Sequence, residues 1–393
     1  MITTLTTALA LSSSLALTEP TLQEDIESTL AGMAKTALAA DMDEYLEHVW
    51  TGEPTLAQEQ WAWAIDLERI PPTVLNYEII DGLDVVDDEV HADVRITWNS
   101  ENWTGGDRVI DVPMRFVEED GDWLYAGRQW TEIQGDGVRV LYADGLGESA
   151  VRALDVWPGI KSKVENGFNR TLEEPQVIKM YTSMPELQFS IFQSYVEPLG
   201  GWNEPMESIK LVGKSFSEGH LKGVLGHEYA HALTFSIAPP DVAVEMAHAV
   251  PWWVHEGIAE LATQNFVPNR GRTQVAVEHW HKNGSLQQWE DLTDFYTVDT
   301  SHYSHVYVQG RHMVSYINEN FGQDARIDWI ENMMQGVTLE EASEQSLGKA
   351  WSEIDSEWRD AVETDVKERE AKKAEKEAAE AAKEKNKSHD KGN

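Results

Sequence analysis

The stretch GHLKGVLGHEYAHALTFS, residues 219–236, decides how this chain folds around its chemistry. Leu221, Val224, Leu225, Ala230, Leu233 and Phe235 recur at helical spacing, so His220–Phe235 is predicted to be a buried amphipathic helix. Inside it stands HEYAH, His227 to His231. Residues four apart share one helix face, so both imidazoles can reach a single metal ion, with Glu228 beside the ion rather than on it. A carboxylate in that place can take a proton from water and pass it to a leaving amine. The same string also arises by chance, so its surroundings must decide. Three polar residues on an otherwise apolar helix are costly to bury without a shared purpose.

A metal needs a third ligand. The chain has no cysteine, which excludes thiolate ligands, disulfides and a cysteine nucleophile. A further histidine six residues beyond His231 is absent, since Thr234 and Ile237 stand where that pattern needs Gly and His. Instead PWWVHEGIAELA, residues 251–262, places Glu256 and Glu260 one turn apart on a second predicted helix, Trp252–Gln264. Either carboxylate can complete a site of two histidines and one glutamate with a place left for water. Further on, YSHVYVQGRHMVSYINENFG, residues 303–322, sets Tyr303 and Tyr307 at the start of another helix, where a phenol can stabilise an oxyanion. The bland reading of the tyrosines is core packing, and of the two glutamates a surface pair. His220, His248 and His255 read better as satisfied or exposed histidines than as ligands, and His302, His305 and His312 as neighbours of the tyrosines. Trp61, Trp63, Trp252 and Trp253 read as core or contact residues.

HExxH, then W-x-x-E-G-x-A-E, then Y-x-Q-G with an apolar helix ending in Phe-Gly, resembles the gluzincin metallopeptidases, in particular the bacterial peptidase MA-like family. The resemblance spans about residues 138–335. It implies that His227, His231 and Glu256 bind zinc and that Glu228 is general base and acid. It implies that Glu260 orients a ligand histidine and that Tyr307 stabilises the tetrahedral intermediate. It also implies that Ser208, Ile209, Lys210, Leu211 and Val212 form the edge strand that pairs with an extended peptide. Two departures stand out: the aminopeptidase signature G-x-M-E-N is absent, and His255 precedes Glu256 where thermolysin-type enzymes have Asn. The expected activity is zinc-dependent peptide hydrolysis on a peptide or protein. The alternatives are a zinc hydrolase of a non-peptide amide, or a binding protein whose zinc domain does no catalysis.

Upstream, Thr21–Val49 and Thr55–Leu67 have helical period. From Leu75 the period changes to two, with strands expected at Leu75–Ile80, Glu89–Trp98, Arg108–Glu118 and Trp123–Ile133. Helices followed by such a meander resemble the cone-shaped nuclear transport factor two-like fold, over about residues 21–134. Gly135–Gly137 reads as a linker. Strands are expected at Val138–Ala143, Val177–Tyr181 and Glu207–Val212, and helices at Glu148–Leu172, Tyr307–Asn320 and Leu339–Glu370. The expected class is α+β: a signal peptide over 1–20, a cone-like domain over 21–135, a zinc hydrolase domain over 136–365 with a small mixed sheet and a mainly helical C-terminal half, and a charged helical tail over 366–393.

The net charge is −38; the chain before the mixed Lys/Glu/Ala tail has 22 basic and 62 acidic residues, a charge of −40, and the tail is slightly basic. Such a body repels nucleic acid and anionic lipid, which excludes the former as a partner. Leu5–Leu17 is apolar but short and rich in Thr and Ser, which suits an export signal better than a spanning helix, although no basic residue precedes it. A secreted or cell-envelope location without stable membrane insertion is expected. Oligomeric state and natural substrate have no signature here.

Overall fold

The structure is a computed structural model. It describes residues 21–213, 217–264, 266–267 and 270–389, so the export segment expected over 1–20 lies outside the described residues. The chain is α+β. It forms two compact units, one of residues up to Gly52 with Ala64–Gln129, the other of Glu53–Trp63 with the chain from Trp130 onward.

The first unit begins with α1 (Leu22–Leu38), opened by a capping box in which Thr21 and Glu24 bond each other's backbone N–H. The single helix expected over Thr21–Val49 is two. Ala40 takes φ 56°, which no helix tolerates, and α2 (Met42–Leu46) restarts from an Asp41 cap. Helix α3 (Pro54–Arg69) follows and contributes to both units. Strands β1 (Pro72–Val86), β2 (Glu89–Ser100), β3 (Arg108–Glu119) and β4 (Asp122–Arg128) form an antiparallel meander in that order. Alternate residues of β2 are buried, as its period of two requires.

The last expected strand of the meander, Trp123–Ile133, belongs to two sheets. It breaks after Arg128, and β5 (Thr131–Gly135) pairs with β6 (Val138–Tyr142) in the second unit. Gly135–Gly137 is therefore no linker: it is the turn of that hairpin, with Gly137 at φ 70°. The second sheet runs β5-β6-β7-β9-β8, with β7 (Gln176–Tyr181), β8 (Gly201–Trp202) and β9 (Ile209–Val212). Strands β6, β7 and β9 are parallel to one another, and β5 and β8 run against them.

This order corrects the expected edge strand. Ile209, Lys210, Leu211 and Val212 are all buried, and β8 covers the strand through Gly201 opposite Leu211 and Trp202 opposite Lys210. The side chains of Ser208 and Lys210 are likewise buried, the Ser208 hydroxyl donating to the Glu59 carboxylate and Lys210 to that of Glu207. The outer strand on this side is β8.

The helices of the second unit are α4 (Gly147–Phe168), α5 (Met184–Ile191), α6 (Glu218–Phe235), α7 (Ala243–Ala249), α8 (Trp252–Thr263), α9 (Arg270–Lys282), α10 (Tyr303–Phe321), α11 (Gln323–Met334), α12 (Leu339–Leu347) and α13 (Trp351–His389). The one helix expected over Leu339–Glu370 is broken at Gly348, which caps α12 at φ 71°. A continuous apolar core joins the sheet to α4, α6, α8, α10 and α11, with Trp157, Trp253, Trp329 and Trp358 fully buried. Helices α8 and α10 approach unusually closely at Gly257 and Gly310. A Cβ on Gly257 would lie 2.7 Å from the Gly310 carbonyl, and one on Gly310 2.5 Å from the Trp253 carbonyl. These are the glycines of the two downstream motifs, and their lack of a side chain brings Glu256, Glu260, Tyr307 and Arg311 together.

Candidate metal centre

Helix α6 starts from Ser217, whose hydroxyl accepts the His220 N–H, and packs its apolar face against α4 and α8. One helical turn separates His227 from His231, and both rings face α8. There Glu256 completes a triangle. His227 Nε2 lies 3.0 Å from Glu256 Oε2 and 3.1 Å from His231 Nε2, and His231 Nε2 lies 3.6 Å from the same carboxylate oxygen. Among the described residues this is the one grouping of three such side chains able to hold an ion.

The triangle fits a four-coordinate divalent ion. Ligand bonds of about 2.0–2.2 Å at tetrahedral angles place neighbouring donor atoms about 3.3–3.5 Å apart. The observed edges bracket that spacing. Protons alone serve the arrangement poorly, since two imidazole nitrogens and a carboxylate oxygen compete for one point. The surroundings are also acidic, with Glu228 and Glu260 close by.

Each side chain of the triangle is held from behind. Trp252 donates its indole N–H to Glu256 Oε1 at 2.9 Å, leaving Oε2 for the triangle. His227 turns Nδ1 toward Glu260 Oε1 at 3.5 Å, and Arg311 from α10 donates to Glu260 Oε2 at 3.3 Å. An imidazole backed by a carboxylate has its tautomer and ring plane fixed. The His231 ring lies parallel to that of Phe235, with centroids 5.8 Å apart, while its buried Nδ1 has no hydrogen-bond partner among the described residues. Packing therefore orients this ring.

The electrostatics follow from burial among opposite charges. Burial alone would lower the His227 pKa, but Glu256 and Glu260 hold it well above the ordinary histidine value. Burial would raise Glu256, but the two histidines pull it well below the usual carboxylate range. Glu228 is raised by burial, which outweighs the pull of His227 and His231. Tyr307 is held protonated by burial and by the nearby charges of Glu256 and Glu228. Its ring centroid lies 6.2 Å from that of His227 and 6.0 Å from that of Trp252.

These groups line a cleft of about 810 Å³. Glu228, Tyr303, Tyr307, Glu260 and the triad all face it, as do His220, His248 and His255, none of which joins the triangle. His255 Nε2 bonds the Ala247 carbonyl at 2.9 Å, and burial lowers the pKa of the ring to about 4. His305 bonds the Ser285 carbonyl and stacks on Trp280, and His312 accepts the indole N–H of Trp358. Of the expected edge strand, none of Ser208–Val212 lines the cleft; Gly200, Gly201 and Trp202 do. Gly201 lies tight against this wall: a Cβ there would lie 2.7 Å from Glu228 Oε1 and 2.9 Å from Val224, so those side chains would have to shift.

Four residues of the site carried no decisive sign in the sequence. Trp252 and Arg311 sit inside the motifs but look like core and surface residues. Glu204, in GWNEP after β8, lines the cleft with a carboxyl raised to about 8 by burial and by Glu207. Tyr195 lines it from the loop after α5.

Among solved structures, the chain is similar to an M1 zinc metallopeptidase from Deinococcus radiodurans, at 14% identity and TM-score 0.33, covering 75% of this chain and 61% of that one. It is similar also to a variant of that enzyme with one glutamate changed to alanine, at 13% identity and TM-score 0.33, covering 74% and 61%. The chain thus spans about three fifths of the length of these proteins. No curated protein matches it. A family model described as the peptidase MA superfamily matches residues 162–364, more than half of the 393 residues and all of the metal triad. The chain belongs to the peptidase MA superfamily.

Proposed function

We propose that this protein is a zinc-dependent peptidase whose ligands are His227, His231 and Glu256. The observation that carries the reading is the triangle of donor atoms at the spacing of a tetrahedral ion, with an independent carboxylate, Glu228, beside it in an open cleft. When bound, a zinc ion supplies Lewis-acid chemistry, making water more acidic and a carbonyl more electrophilic.

The protein's own groups supply the rest. A Glu228 carboxylate oxygen takes the proton of the attacking water and delivers it to the departing amine nitrogen. Its raised pKa makes it able to hold that proton between the two events. Tyr307, kept as a phenol, donates its O–H to the carbonyl oxygen as negative charge grows there. Glu260 and Arg311 hold the His227 ring, and Trp252 holds the Glu256 carboxylate. An extended peptide is taken along β8, where Gly201 lets the main chain come against Glu228. A peptide or protein is accordingly the substrate. The helices and meander of the first unit are assigned to the nuclear transport factor two-like class, as a binding or scaffold module, and the protein to the secreted or cell-envelope fraction.

The deciding experiment compares wild type with Glu228→Gln on casein and on a peptide library, with zinc content measured in parallel. The variant should keep one zinc per chain and lose turnover by about three orders of magnitude or more. A variant as active as wild type would remove the general base, and with it the mechanism.

A further inference from the structure

One part of the cleft lining has a consistent chemistry. Rings run along it edge to face: Tyr195 to Trp202 at 5.5 Å between centroids, Trp202 to Phe295 at 5.8 Å, Phe295 to Trp252 at 5.0 Å, and Trp252 to Tyr303 at 5.1 Å. Carboxylates accompany the rings. Glu197 lies within electrostatic reach of both Tyr195 and Tyr303. Glu204 lines the same cleft half-buried, and its carboxyl makes no hydrogen bond or ion pair among the described residues. No lysine or arginine is among the described residues that line the cleft.

Aromatic faces attract cations, and so do carboxylates; together they do not suit an acidic group. A purely apolar side chain would leave Glu197 unanswered, and an acidic one would meet Glu197 with no lysine or arginine among the described residues of the lining to receive it. We propose that the cleft selects a peptide with a basic side chain, its ammonium or guanidinium held between the Tyr195–Trp202–Tyr303 rings and the carboxylates of Glu197 and Glu204. This rests on the peptidase reading above. Glu204 also supplies a use for its proton: a bound cation draws the carboxyl into its charged form, which the empty pocket disfavours.

The test uses labelled peptides of one length that differ at one position, Lys, Arg, norleucine or Glu, each made with a free and an acetylated amino terminus. Affinity is read by anisotropy on full-length Glu228→Gln loaded with zinc, and cleavage on wild type. Lys and Arg peptides should bind on the order of 10–100-fold tighter than the Glu peptide, acetylated or not, with norleucine between. The ratio should shrink as salt is raised and in a Glu204→Gln, Glu228→Gln double variant. Equal affinity for Lys and Glu peptides overturns the proposal. So does a preference that disappears on acetylation, because the cation recognised is then the amino terminus. Should the affinities differ as stated while wild type cleaves none of the peptides, the peptidase reading fails and the selectivity of the cleft stands.

Discussion

Replacing Trp252 by Phe removes one hydrogen bond from the proposed metal centre and little else. The indole N–H donates to Glu256 Oε1 at 2.9 Å, while the ring packs against Phe295 and Tyr303, contacts that a phenyl ring largely keeps. A hydrogen bond to a charged group is worth about 1.5–3 kcal/mol. With about 1.4 kcal/mol per tenfold, its loss should weaken zinc binding about 10–100-fold, the range typical of groups that orient a metal ligand. The assay is competition for zinc with a chromophoric chelator, alongside thermal unfolding of the metal-free proteins. Trp253→Phe is the control. That indole is fully buried one position away, and its N–H has no hydrogen-bond partner among the described residues. It should alter stability but leave the zinc affinity within about twofold. If Trp252→Phe binds zinc as tightly as wild type, Glu256 is not a ligand held by that bond.

Other consequences can be checked in the same way. Gly201→Ala puts a Cβ 2.7 Å from Glu228 Oε1, so it should cut kcat by about 10²-fold or more while zinc content is unchanged. Gly257→Ala must push α8 away from the Gly310 backbone and should destabilise the protein by about 1–3 kcal/mol in denaturant titrations. Glu59 is buried between Lys179, at 2.6 Å, and Ser208. Burial would raise its pKa, but Lys179 and Lys210 lower it from 4.5 to about 2. Because the folded value is the depressed one, its contribution is full above about pH 4.5 and is lost as pH falls toward 2, amounting to about 3 kcal/mol. Metal-free Glu59→Gln should therefore unfold more easily than wild type at pH 7, and the gap should close in acid.

The parts legible in the sequence were local. The helix over His220–Phe235 shows in its apolar period, and HEYAH sets two rings and a carboxylate along it in the space of five residues. The distant carboxylate was legible because W-x-x-E-G-x-A-E lies on a helix of its own, although spacing alone left Glu256 and Glu260 open. Contacts made by folding were not legible. Arg311 meets Glu260 across 51 positions and Glu59 meets Ser208 across 149, and neither distance leaves a period or a motif. Strand β8 has two residues, too few for alternation to register, so nothing in the sequence signals a strand outside β9. The switch between sheets at residues 129–130 was invisible because neither Gln129 nor Trp130 is a glycine or proline that would mark a break. Ala40 breaks the first helix at a positive φ with no glycine to announce it.

Metal analysis with X-ray absorption at the zinc edge tests the centre most directly. One zinc per chain, in a shell of light atoms with two imidazoles, is the result expected for wild type, and each of His231→Ala and Glu256→Gln should lose most of it. Full occupancy with an unchanged shell in either variant would contradict the assignment.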